Sequence, residues 1–181
     1  MTLHPDDQLA DAWRDAWRFA VEAHHGQTFP GTDLPYSLHV ASVAAETLLA
    51  MEDDPRDARL LALRCALLHD VLEDTAVTAE GLGARFGPAV LAGVRALTKD
   101  PSLPKEARMA DSLRRIRAQP RAVWCVKLAD RITNLEAPPH YWSDEKIAAY
   151  RVEAGEILDA LGEASERLAA RLQRRIAAYG R

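Results

Sequence analysis

The chain has 181 residues, of which 48% are hydrophobic and 28% are charged, and its formal net charge is −4. That length and composition suit a single domain, residues 1–181, with a sizeable core. The acidic balance argues against a nucleic-acid partner, and the absence of an apolar run of membrane-spanning length argues against a membrane partner.

Helical periodicity recurs along the chain. Apolar residues at three- and four-residue steps, interrupted by Gly- and Pro-containing loops, indicate a series of helices. The predicted helices cover residues 7–25, 37–51, 57–74, 78–86, 89–97, 105–118 and 121–135, followed by one or two long helices over 142–179. Ser37 is predicted to cap the second helix. The prediction is an all-α bundle of roughly eight helices.

The two cysteines lie within apolar helical patterns. Cys65 and Cys125 lack the Cys-x-x-Cys spacing of metal and redox motifs. They are predicted to be buried free thiols. Since the first residues carry no signal-peptide pattern, we expect a cytoplasmic protein in a reducing setting.

The predicted helix over 57–74 ends in a run of ionisable residues. In a continuous helix His69 lies above Glu73, and Asp70 lies above Asp74, so that all four share one patch. Three carboxylates and an imidazole repel one another unless a positive charge lies among them, and a divalent metal ion supplies it. The alternative is an exposed acidic helix end with an incidental histidine.

A second polar face lies on the predicted helix over 121–135. Lys127, Asp130 and Asn134 share this face because they are three and four residues apart. A carboxylate in so apolar a helix is a candidate functional residue. The alternative interpretation is a structural ion pair between Asp130 and Lys127.

These residues combine into a candidate metal site on three helices, as in metal-binding bundles. The candidate ligands are His39, His69, Asp70 and Asp130. Two imidazoles and two carboxylates without a thiol suit manganese, iron, cobalt or magnesium better than structural zinc. Such an ion activates water and polarises a phosphoryl oxygen, and Glu73 and Asp74 are placed to orient or deprotonate that water. The sequence therefore predicts hydrolysis of a phosphate ester or anhydride.

The same residues carry a family resemblance. A separated His39, the adjacent pair His69-Asp70 and the distant Asp130 are similar to the pattern of the HD phosphohydrolase superfamily. Between about residues 20 and 135 the chain resembles the hydrolase domain of Rel/Spo-type alarmone enzymes. The matching segments are Ala23–Gln27, Pro35–His39, Val43-Ala44, Leu67–Thr75, Phe86-Gly87, Leu97–Lys99 and Lys127–Leu135. With no synthetase region after them, we expect a stand-alone small alarmone hydrolase.

The resemblance implies a manganese-dependent enzyme, or one using another divalent metal. Its substrate would be guanosine 3′,5′-bis(diphosphate) or a related nucleotide such as the adenosine analogue, from which it removes the 3′-pyrophosphate. By match, Glu73 and Asp74 handle the nucleophilic water, and the four candidate ligands hold the metal. The substrate-binding residues implied are Lys99, Asn134 and, as a weaker candidate, Tyr150. The alternatives are another HD-type nucleotidase or phosphatase and a nucleotide sensor without turnover, which would be expected to lose Glu73 and Asp74.

One loop departs from the family pattern. The family usually carries basic residues shortly after Gly-Gln, whereas this chain has Thr28–Gly31 there. Phe29 and Pro30 can pack on a purine face but cannot donate hydrogen bonds to it, and selectivity from apolar contact is small. We therefore expect weak discrimination between guanosine and adenosine 3′-pyrophosphates, or a preference for adenosine, with Lys99 and Lys127 nearest the phosphates.

Overall fold

This computed structural model describes residues 5–180, and the side chains from residue 7. Within that range the chain forms ten α-helices and one 3-10 turn, Gly162–Ala164. The helices are α1 (Pro5–Ala23), α2 (Ser37–Ala50), α3 (Arg56–Leu68), α4 (Val71–Asp74), α5 (Ala79–Phe86), α6 (Pro88–Leu97), α7 (Lys105–Arg117), α8 (Arg121–Asn134), α9 (Asp144–Leu161) and α10 (Glu166–Ala178). The predicted all-α class is confirmed, since an isolated bridge from Thr28 to Pro35 is the only β-type pairing in the described range.

Helices α3 and α8 form the centre of the bundle. Helix α3 packs against α1, α2, α6 and α8, and α8 packs in addition against α2, α9 and α10. Eleven of the fourteen residues of α8 are buried, including the charged residues Lys127, Asp130 and Arg131. Because a buried charge is costly without a partner, the presence of three on the central helix indicates a polar network inside the bundle.

The prediction of a single helix over 57–74 is wrong, because the chain forms two helices separated by His69 and Asp70. Asp70 has φ −103° and ψ −3°. Its carbonyl accepts from the backbone N–H groups of Glu73, at 3.1 Å, and of Asp74, at 2.9 Å. This backbone region is sparsely populated but allowed, and the Asp70 side chain makes no cap hydrogen bond to α4. His69 and Asp70 therefore lie at a corner between α3 and α4.

Other boundaries lie within a few residues of the prediction, with one local correction. Ser37 is the first residue of α2 and does not cap it; Tyr36 holds the cap position, without a side-chain cap hydrogen bond. The C-terminal region contains two helices, and the Ser143 side chain caps α9 by accepting from the Lys146 N–H. Among residues 5–180, no helix combines the length and apolarity needed to cross a bilayer.

The connection between α1 and α2 folds back on itself. The Phe29 N–H donates to the Leu34 carbonyl at 2.8 Å. At the tip Gly31 has φ 82°, and a Cβ placed there would lie 3.0 Å from the Pro139 Cβ. A residue without a side chain thus lets this loop touch the segment that follows α8.

Candidate metal and active site

Four predicted residues converge where α2, the α3–α4 corner and α8 meet, and together they are the His/Asp cluster: His39, His69, Asp70 and Asp130. The Nε2 atoms of His39 and His69 are 3.3 Å apart. His69 Nε2 lies 2.9 Å from Asp70 Oδ2. Asp130 Oδ1 lies 3.4 Å from His39 Nε2 and 3.6 Å from His69 Nε2. The structure therefore brings all four candidate ligands together.

The donor atoms of the cluster suit a divalent cation. His69 Nδ1 lies 2.8 Å from the Ala66 carbonyl oxygen, an arrangement that places a proton on Nδ1 and leaves Nε2 for a ligand. His39 Nδ1 lies 3.4 Å from the Thr133 hydroxyl. Adjacent ligands of an octahedral ion with bonds of about 2.1 Å are about 3 Å apart. Donor atoms of His39, His69 and Asp70 lie within 4.8 Å of one another, so the residues fit such an ion.

The cluster favours a positive charge at its centre. Although burial opposes the shift, Asp70 and Asp130 raise the pKa of His69 well above its ordinary value. Burial likewise opposes the shift at Asp130, but Lys127 and the imidazoles hold its pKa well below the usual range. Both shifts arise because cationic groups lie between buried carboxylates. A divalent cation that displaces a proton from the imidazoles meets the same electrostatic need.

Both carboxylate oxygens of Asp130 have further partners on α8. Lys127 Nζ lies 2.8 Å from Oδ2. Asn134 Nδ2 donates to Oδ1 at 2.6 Å. The ion pair considered as the alternative interpretation therefore exists, and Asp130 faces the two histidines as well. Lys127 is 7% exposed, so its ammonium group neutralises Asp130 inside the bundle.

Three side chains that sequence reasoning left without a role hold the α3–α4 corner. The Tyr36 hydroxyl donates to Asp70 Oδ2. Gln27 Nε2 donates to the Asp74 carbonyl at 2.7 Å, and Gln27 Oε1 lies 2.8 Å from His24 Nδ1. All three fall in segments that resemble the alarmone hydrolases, which is the signal that could have marked them. Tyr36 and Gln27 reach the corner through contacts that span 34 and 47 positions of the chain, respectively.

The candidate catalytic carboxylates lie on α4 with their side chains exposed. Glu73 Oε2 accepts from the backbone N–H of Lys99 at 2.9 Å. Partial desolvation and the nearby carboxylates of Asp70 and Glu73 raise the pKa of Asp74 to about 6. A carboxylate that exchanges a proton this close to neutrality is suited to acid–base chemistry.

The three candidate substrate-binding residues lie in different surroundings. Lys99 follows α6 and contacts Glu73, and Asn134 contacts Asp130. Tyr150 lies on α9, where the Arg131 guanidinium carbon is 4.1 Å from the centroid of its ring. Arg131 in turn pairs with a carboxylate on α9. The Tyr150 ring therefore packs against Arg131, the residue that follows Asp130 on α8.

A cavity of about 460 Å³ adjoins the His/Asp cluster. One wall is the loop from Phe29 to Leu34, and the other is the segment 136–140 after α8. His39 and Thr133 line the part shared with the cluster. The Phe29 ring stacks on the His39 imidazole, with centroids 5.5 Å apart and planes at 20°. The volume is in the range that accommodates small organic ligands.

Comparison with known proteins shows related sequences over most of the chain. The HD domain family profile matches residues 16–166. The guanosine-3′,5′-bis(diphosphate) 3′-pyrophosphohydrolase MESH1 of Danio rerio is 31% identical over 160 residues, covering 86% of this chain and 87% of that protein. MESH1 of Drosophila melanogaster is 35% identical over 133 residues, covering 71% and 72%. The bifunctional (p)ppGpp synthase/hydrolase SpoT of Escherichia coli (strain K12) is 35% identical over 143 residues, covering 74% of this chain and 19% of SpoT.

Solved structures extend the likeness to three dimensions. The metazoan ortholog of SpoT that hydrolyzes ppGpp aligns with a TM-score of 0.79 and 28% identity, covering 92% of this chain and 94% of that one. The protein lmo0812 of Listeria monocytogenes EGD-e aligns with a TM-score of 0.59 and 20% identity over 80% of this chain and 99% of that one, a likeness of fold alone. The chain belongs to the HD-domain family, in the branch that contains the MESH1 and SpoT hydrolases.

Proposed function

We propose that this protein is a manganese-dependent pyrophosphohydrolase that removes the 3′-pyrophosphate from ppGpp or from its adenosine analogue, with water as the nucleophile. The observation that carries the proposal is the convergence of two imidazoles and two carboxylates beside a cavity of about 460 Å³. The named activity of MESH1 supports the choice of substrate. The two free, buried cysteines agree with the expected reducing, cytoplasmic setting.

The His/Asp cluster would hold the metal, and its ligands would be His39, His69, Asp70 and Asp130. When bound, the ion supplies a Lewis acid that lowers the pKa of water and offsets negative charge on phosphoryl oxygens. A donor set without thiolate favours a hard or intermediate ion such as Mn²⁺. Hydrogen bonds from Tyr36 and Asn134 orient the Asp70 and Asp130 carboxylates towards the centre of the cluster.

Glu73 and Asp74 are the proposed catalytic residues. Asp74, whose pKa is raised to about 6, is ionised at neutral pH and basic enough to take the proton of the attacking water. The hydrogen bond from the Lys99 N–H fixes one oxygen of Glu73 and leaves the other free to orient that water. Asp74 is therefore the proposed general base, and Glu73 the residue that orients the water.

Lys99, Asn134 and Tyr150 are the proposed substrate-binding residues. Lys99 is next to Glu73, where an ammonium group can offset charge on the pyrophosphate. Asn134 uses one Nδ2 hydrogen on Asp130, so its amide oxygen and its second N–H are available to the substrate. Tyr150 contacts Arg131, so its effect on the substrate would depend on that residue.

The proposal is tested with a panel of 3′-pyrophosphorylated and ordinary nucleotides in the presence of added Mn²⁺, with release of pyrophosphate and of the 5′-diphosphate measured by anion exchange. We expect turnover of the 3′-pyrophosphorylated nucleotides alone and none in His69→Ala. Hydrolysis of ordinary nucleotides would identify another HD-type activity. Nucleotide binding with no turnover of any compound would identify a sensor and refute the proposal.

A further inference from the structure

The cavity is built for the uncharged end of a ligand. No lysine or arginine occurs among the described residues that line it. Phe29, Leu34, Leu38 and Pro138 supply apolar surface, and a single carboxylate, Glu136, supplies negative charge. A polyphosphate would be repelled there, whereas the adjacent His/Asp cluster would suit it once a divalent ion is bound. A nucleotide that places its phosphates at the cluster therefore places its base in the cavity.

The hydroxyl groups of the cavity already donate their hydrogens to the backbone. Thr32 Oγ1 donates to the Phe29 carbonyl at 3.0 Å. Ser42 Oγ donates to the Leu38 carbonyl at 2.8 Å. Thr133 Oγ1 donates to the Asp130 backbone carbonyl at 2.9 Å. What these groups still offer to a ligand is lone pairs, so the hydroxyls are acceptors in this cavity.

Glu136 strengthens this bias. It lies two residues beyond the end of α8, its side chain is exposed, and it has no hydrogen-bond or ion-pair partner among residues 7–180. An ionised carboxylate accepts hydrogen bonds through two oxygens and donates none. Apart from the imidazoles of His39 and His140, the polar side chains of the cavity are acceptors, and they match a base edge that presents two adjacent donors.

We infer that Glu136 is a specificity-determining residue that makes the enzyme prefer guanine over adenine, an inference that rests on the proposed function. The guanine edge presents N1–H and N2–H₂, two donors for the two carboxylate oxygens. The adenine edge presents one donor beside the N1 acceptor, which a carboxylate repels. This outcome is opposite to the weak discrimination expected from Phe29 and Pro30, because that expectation considered one wall of the cavity and Glu136 belongs to the other.

Glu136→Gln is the sharpest variant, because it keeps the shape and replaces one acceptor by a donor. An amide pairs with the donor and acceptor of adenine, and also with the O6 acceptor and the N1–H donor of guanine, so it distinguishes the two bases poorly. We expect the wild-type protein to favour ppGpp over the adenosine analogue by about tenfold or more in kcat/KM, and to favour GDP over ADP similarly in titration calorimetry. Glu136→Gln and Glu136→Ala should each reduce this preference to about threefold or less. Glu163→Gln, an exposed change outside the cavity lining, is the matched control and should leave the ratios unchanged.

The two measurements separate this inference from the proposed function. Equal binding of GDP and ADP by the wild-type protein, or ratios unaffected by Glu136→Ala, would overturn the role of Glu136 even if both 3′-pyrophosphates are hydrolysed. A GDP preference that Glu136→Gln abolishes, in a protein that hydrolyses neither compound, would support the role of Glu136 and refute the hydrolase. Because Glu136 is exposed, we expect its variants to fold as the wild type does, and circular dichroism checks this.

Discussion

At the scale of single residues, each ligand candidate has a second partner that limits its freedom. The Tyr36 hydroxyl holds Asp70, Asn134 holds Asp130, and a main-chain carbonyl holds the outer nitrogen of His69. Such contacts orient metal ligands before the ion arrives, and a histidine that donates its outer N–H becomes a more basic ligand. The cluster is therefore organised by residues that are not themselves candidate ligands.

Replacing Asp130 tests the metal site directly. We expect Asp130→Ala to lose bound Mn²⁺ and turnover together, because the site loses a charged ligand. Lys127 is then left buried without its partner, at a cost of about 3–5 kcal/mol. The double variant Asp130→Ala/Lys127→Met removes that unpaired charge and serves as the folded control. Full manganese occupancy by elemental analysis in the double variant would show that Asp130 is not a ligand.

Substitutions on α4 separate metal binding from chemistry. Glu73→Gln and Asp74→Asn keep the volume of each side chain and remove its charge. We expect both proteins to bind Mn²⁺ as the wild type does, and to turn over more slowly by roughly 10²–10⁴-fold where the carboxylate acts as general base. Single-turnover kinetics with elemental analysis measures both quantities. An unchanged kcat in both variants would remove the pair from the mechanism.

At the scale of elements, the helices were predictable because their apolar periodicity is strong, whereas the α3–α4 corner was not. His69 and Asp70 are compatible with a continuous helix by local sequence, and the contacts of Tyr36 and Gln27 that accompany the corner come from a distant segment. The convergence of the four ligand candidates followed from residue type and family resemblance. The hydrogen bonds that hold them, and the position of Glu136, depend on tertiary packing that no local pattern encodes.

The contact between α3 and α6 is tight at one glycine. A Cβ at Gly93 would lie 2.6 Å from Cys65 Sγ and 3.1 Å from a Val123 methyl carbon. We expect Gly93→Ala to lower the free energy of unfolding by about 1–3 kcal/mol through overpacking. Gly155, within α9, has open space around a Cβ, so Gly155→Ala should raise that free energy by about 0.5–1 kcal/mol. Urea titrations compare the two, and equal effects of the same sign would contradict the packing argument.

At the scale of the whole molecule, the Cys65 thiol can report global unfolding, because it lies on the central helix α3. Cys65 is fully buried, and burial raises its pKa to about 12, so the reactive thiolate is scarce at pH 8. Burial also raises the pKa of Cys125. We expect neither thiol of the native protein to react with a disulfide reagent on the timescale on which the denatured protein reacts at both. Rapid reaction of the native protein would show that the centre of the bundle opens easily.

The contact of Gly31 with Pro139 has a consequence for how such an enzyme could diversify. The loop meets the opposite wall through a residue with no side chain, and the cavity is lined by both contact residues and by His39, a candidate metal ligand. Insertions or exchanges in the loop can change the width and polarity of the cavity while α2, the α3–α4 corner and α8 keep the candidate ligands in register. Substrate range and hydrolytic chemistry are thereby assigned to separate stretches of chain, so that mutation can alter the first and leave the second intact.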